Sequence, residues 1–71
     1  MIVVNDKQLD ELSEYIPNVR NNVKSTSLND FLLNLDALIT EIGFDKNWEL
    51  NEIGIKLQLL YDQVYRQNKQ Y

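Results

Sequence analysis

Apolar residues recur at helical spacing in three stretches of the chain. Leu9, Leu12, Ile16, Val19 and Val23 follow one another at intervals of 3, 4, 3 and 4. Leu28, Phe31, Leu32, Leu35, Leu38, Ile39 and Ile42 share one face of a helix over residues 28–42. Ile53, Leu57, Leu60, Tyr61, Val64 and Tyr65 form the main stripe of a last helix running from Glu52 to about residue 68. The pattern predicts an all-α fold: a small bundle of three main helices.

Capping residues sharpen the boundaries. Asn5 precedes the first stripe with Gln8 three residues on, as in a capping box. Val4 and Leu9 are placed for a hydrophobic staple across that cap. Ser27 is set to cap the middle helix, with Asp30 near its positive end. Gly43 is expected to end that helix in a Schellman motif, pairing Phe44 with Ile39. Asn51 can cap the last helix, with Leu50 and Ile55 as a second staple. Glu52 with Lys56, and Asp62 with Arg66, are spaced for ion pairs along that helix. Gly54 weakens its first turn by about 1 kcal/mol relative to alanine. Trp48, in the connection, is expected to fold back over the edge of the core.

Pro17 falls inside the first stripe. Proline removes a backbone donor and its ring opposes the carbonyl four residues back. Either one kinked helix spans 6–24, or a helix over 6–15 is followed by a short extra segment around residues 17–24 that starts with Pro17 at its first position. The unbroken stripe favours the first arrangement and the preference of proline for a helix start favours the second. Residues 1–5 form an extended segment in which Ile2-Val3-Val4 could pair across a dimer or lie against the helices. Residues 69–71 are expected to fray.

Length makes this one domain, residues 1–71. There is no Cys and no His. Disulfides, thiolate metal sites, a cysteine nucleophile and the usual neutral-pH base are therefore all excluded. A domain this small then depends on efficient helix packing or on self-association. No apolar run is long enough to span a bilayer. The start, Met1-Ile2-Val3-Val4-Asn5-Asp6, lacks the basic and apolar regions of a signal peptide. A cytoplasmic location is the expectation.

Charge is uneven along the chain. The total is −4, with residues 1–27 at −1, 28–51 at −4 and 52–71 at +1. No Lys or Arg lies between Lys24 and Lys46. An acidic middle repels phosphate and disfavours nucleic acid. A helix-turn-helix reading of residues 28–68 also fails on its long turn and on Glu52 and Ile53 at the start of the second helix. Asp45-x-Asn47-x-Glu49 begins like a calcium loop, but Leu50 and Lys56 stand where the EF-hand needs Gly and Glu. No phosphate loop, nucleophile elbow or metal-ligand pair is present. No enzyme activity, cofactor or metal is expected.

Two surfaces remain. Ile55 and Leu59, four residues apart, lie on the side of the last helix away from its main stripe, and Leu33 is likewise off the stripe of its helix. Exposed aliphatics are common singly, but here they are candidates for an interface in a homodimer. Asp30, Asn34, Ala37 and Glu41, at intervals of 4, 3 and 4, line an acidic stripe of the middle helix. It is either an ordinary solvated face or a docking site for a basic partner. The expected function is thus a small non-catalytic helical interaction or regulatory domain that self-associates. An acidic inhibitor or immunity-type protein is the alternative, and a DNA-binding regulator is a weaker third.

Overall fold

The computed structural model describes residues 2–69. Four helices occur among them: α1 (Asp6–Ser13), α2 (Val19–Ser25), α3 (Leu28–Ile42) and α4 (Glu52–Lys69). The small all-helical class holds, but the chain folds as four helices rather than three with an appendage. Lys69 is still helical. Residues 70 and 71 of the expected frayed tail lie outside the described residues. None of these helices is long and apolar enough to cross a membrane.

Helix α1 starts in the expected capping box. The Asn5 side chain accepts from the Gln8 amide at 2.8 Å, and the Gln8 side chain accepts from the Asn5 amide at 3.1 Å. Pro17 breaks the helix rather than kinking it. A proline here would set its ring against the carbonyl of Ser13, and Ser13 is the last residue of α1. The amides of Tyr15 and Ile16 both turn back to the Leu12 carbonyl, at 3.0 and 2.8 Å. Nor is Pro17 the first residue of α2. Asn18 follows it in the left-handed region, with φ 61° and ψ 27°, and caps α2. Asparagine tolerates that conformation better than most residues. The turn re-phases the chain, so that Leu9, Leu12, Val19 and Val23 are all buried although no single helix carries them.

Ser27 caps α3 through the Asp30 amide at 3.2 Å. Phe31, Leu32, Leu35 and Ile39 form its buried face and meet Leu57, Leu60 and Val64 of α4. These two helices make the principal packing pair, and α1 packs on α2. The expected Schellman motif is absent. Gly43 has φ −93° and donates to the Ile39 carbonyl, while Phe44 forms an isolated antiparallel bridge with Leu50. Asn51 then joins the two helices. Its side-chain oxygen caps the Gly54 amide at 2.8 Å, and its side-chain amide donates to the last carbonyl of α3, Ile42, at 3.0 Å.

Both glycines are there for close approach. A Cβ on Gly43 would lie 2.9 Å from Gly54 Cα, and one on Gly54 would strike the Gly43 carbonyl, 2.9 Å from its carbon. Gly54 is buried, so its place in the first turn of α4 reflects backbone contact, not merely tolerance of a poor helix former. Leu50 packs a methyl beside Gly54, while Ile55 faces outward instead of completing a staple. Trp48 also departs from expectation. It is 77% exposed, at φ 63°, with its ring 6.2 Å from Phe44 and not over the core. The tight turn from Asp45 to Glu49 holds it out: the Asp45 carboxylate accepts from the amides of Asn47 and Glu49 at 2.8 and 3.1 Å.

The N-terminal segment lies against the helices. Ile2 is buried and its amide donates to the Val23 carbonyl at 3.2 Å. Val3 is tied to the far end of the chain. Its amide donates to the Asn68 side-chain oxygen at 2.8 Å, and its carbonyl accepts from the Gln67 and Asn68 side-chain amides at 3.1 Å each.

Candidate functional site

The outward face of α4 carries a continuous exposed stripe. Glu52, Ile55, Leu59, Asp62, Arg66 and Lys69 are spaced 3, 4, 3, 4 and 3 residues apart, and all six are exposed. That spacing keeps them on one side of a helix. Ile55 and Leu59, at 58% and 57% exposed, are adjacent on it, one turn apart. The face opposite them holds Leu57, Leu60 and Val64 in the core. Tyr65, expected on the core stripe, is 45% exposed, with the Lys69 ammonium 5.6 Å from its ring centre.

The charges beside this stripe do not pair as their spacing alone implies. Lys56 reaches across to Glu14, with Nζ 3.8 Å from the carboxylate, and lies 5.9 Å from the Tyr15 ring. Its expected partner Glu52 is left outside that contact. No ion pair joins Glu52, Asp62 or Arg66 to another of the described residues. Arg20 instead links α2 to α1 through Asp6 and Asp10.

A groove of about 560 Å³ runs between α1 and α4 along one side of this stripe. Leu59 forms part of its wall, with Lys7 and Glu11 on the α1 side. Its floor is an uncharged amide cluster. Gln8, the one buried polar side chain among the described residues, donates to Gln63 at 3.1 Å and to Gln67 at 2.7 Å. Gln67 donates back to Gln8 at 3.2 Å. No buried side-chain nitrogen or oxygen lacks a partner among the described residues. The sequence signal for this cluster is faint: Gln8 lies four residues before Leu12, on the buried side of α1, and Gln63 and Gln67 are four apart.

The second expected surface is partly assembled. Asn34, Ala37 and Glu41 line a groove of about 300 Å³ between α3 and the α1–α2 turn, facing Tyr15, Ile16 and Pro17. Asp30 belongs to the same stripe of α3 but does not line that groove. No Lys or Arg lines it either. Leu33, the third candidate interface residue, is 67% exposed on α3 and lines neither groove. The connection between α3 and α4, residues 43–51, is longer than the turn of a compact helix-turn-helix.

These features define a small all-helical protein whose distinctive surfaces are two grooves and one amphipathic outer helix face. No family model, no curated protein and no solved structure matches the chain.

Proposed function

We propose that this is a non-catalytic interaction domain that self-associates through the outer face of α4. The observation that carries this reading is the adjacency of Ile55 and Leu59, both more than half exposed on a helix whose other side already fills the core. Full burial of such side chains contributes about 1.5–3 kcal/mol each. Roughly half of that is still available at these two positions, and a two-fold dimer uses each twice. Association itself costs several kcal/mol. The dimer is therefore weak and concentration-dependent. Sedimentation equilibrium at low and high salt tests it. The expected result is a dimer that persists at high salt and is lost in Ile55→Asp or Leu59→Asp while helix content by circular dichroism is kept. A monomer at every salt and concentration refutes it.

A second reading rests on the groove lined by Asn34, Ala37 and Glu41. Its apolar side and the absence of basic lining residues suit a basic segment carrying an apolar anchor. Under this reading an immunodetected or labelled Lys/Arg-rich amphipathic peptide binds at low salt, and Glu41→Lys abolishes that binding. Unchanged binding to the variant would dispose of it.

A further inference from the structure

The exposed stripe of α4 has its own symmetry. Leu59 stands at its middle, seven residues from Glu52 on one side and seven from Arg66 on the other. At 1.5 Å per residue, both charges lie about 10.5 Å from Leu59 along the helix axis. Glu52 stands at one end of the stripe and Arg66 at the other, with the aliphatic pair Ile55 and Leu59 and then Asp62 between them, and Lys69 one turn beyond Arg66. Glu52 and Arg66 are both exposed, and neither forms an ion pair with another described residue.

This layout is complementary to its own reverse. We infer that the partner of α4 is the α4 of a second copy of this chain, running antiparallel and centred on Leu59. Turning one helix about a two-fold axis at Leu59 sets Leu59 against its counterpart. The same rotation brings Glu52 of each copy opposite Arg66 of the other, so the charge pair forms twice. A parallel arrangement would set Glu52 against Glu52, Asp62 against Asp62 and Arg66 against Arg66, and like charges at successive layers oppose it. Antiparallel alignment also sets the positive end of each helix dipole beside the negative end of the other. Ile55 packs beside the central leucines, with Asp62 of the other copy at nearly the same height and Lys56 of its own helix within reach of that carboxylate. The groove on the α1 side of Leu59 gives the second helix a bed, with the walls from Lys7 and Glu11 at its edge.

This arrangement rests on the self-association reading, and it fails separately from it. The test uses three variants of the full chain: Glu52→Arg, Arg66→Glu, and both together. Each has its helix content checked by circular dichroism and its mass measured by sedimentation equilibrium at low salt. Each single variant is expected to weaken the dimer roughly tenfold, because two attractive pairs become two repulsive ones. The double variant restores both pairs with reversed sign and returns to native affinity. An equimolar mixture of the two single variants also associates, as a heterodimer in which both pairs are attractive. Single variants that dimerise as well as the native chain overturn the antiparallel register and leave self-association standing. So does a double variant, or a mixture, that shows no recovery. A native chain that stays monomeric overturns both readings together.

Discussion

Replacing Gly54 by alanine sets two effects of opposite sign against each other. Helix propensity alone favours the change by about 1 kcal/mol, since glycine is a poor residue inside a helix. Packing opposes it. The new methyl would strike the Gly43 carbonyl group and approach a Leu50 methyl at 2.8 Å. Leu50 is partly exposed and its side chain can swing away. The Gly43 carbonyl cannot move freely, because its oxygen accepts from the Asn51 amide at 2.9 Å and its own amide is fixed to Ile39 at 2.7 Å. Overpacking against fixed atoms costs about 1–3 kcal/mol, and a backbone clash belongs at the upper end of that range. We predict a net destabilisation of about 1–2 kcal/mol. For a domain of this size, that lowers Tm by roughly 5–15 °C. Thermal and urea unfolding followed by circular dichroism measure the effect. A Gly54→Ala variant as stable as the native chain, or more stable, would refute the close glycine contact and return Gly54 to an ordinary propensity defect.

Three further outcomes are expected. Gln8→Leu removes the centre of the amide cluster and the Gln8 side of the capping box, while exposed Gln63 turns to water and Gln67 keeps its bond to Val3, so the cost in urea unfolding is about 0.5–1.5 kcal/mol; an unchanged midpoint would mean that water replaces those bonds without penalty. Ile2→Ala, at a position only 4% exposed, costs about 2–4 kcal/mol, and a loss below about 0.5 kcal/mol would show that the N-terminal segment contributes no core. Trp48, the sole tryptophan, should emit as a water-exposed indole and be quenched readily by acrylamide. A blue-shifted, protected emission would show that it covers an apolar surface after all.

Local signals in this sequence were enough for the ends of its helices. The caps at Asn5, Ser27 and Asn51 act on amides within three residues of themselves, so their partners are visible in the order of residues alone. The limits of α3 at Leu28 and Ile42 follow from one such cap and an uninterrupted apolar stripe. Features that depend on distant chain were not visible. The clash that makes Gly54 necessary comes from Gly43, on a different helix end. Lys56 chose Glu14, just past the end of α1, over Glu52 one turn before it, because the fold brings that carboxylate close. Pro17 was correctly a disruption, but the position of the break depended on Asn18 accepting a left-handed backbone, which composition alone does not dictate. Of the candidate surfaces, the outward direction of Ile55, Leu59 and Leu33 was legible from periodicity, whereas the grooves beside them required the neighbouring helices.

Among the described residues, the hydrogen bonds that tie Val3 and α1 to the end of α4 run between neutral amides: the backbone of Val3 and the side chains of Gln8, Gln63, Gln67 and Asn68. Nothing in that set gains or loses a proton in the physiological range, and none of its bonds is an ion pair for salt to screen. Acid or high ionic strength therefore leaves this fastening alone. Its vulnerability is chemical ageing. Slow hydrolysis of the Asn68 amide to a carboxylate would erase the donor it presents to the carbonyls of Val3 and Val64 and put negative oxygen against both. Val3 would then be pushed away from the end of α4, while the buried Ile2 side chain and its amide bond to Val23 still hold the segment to the core.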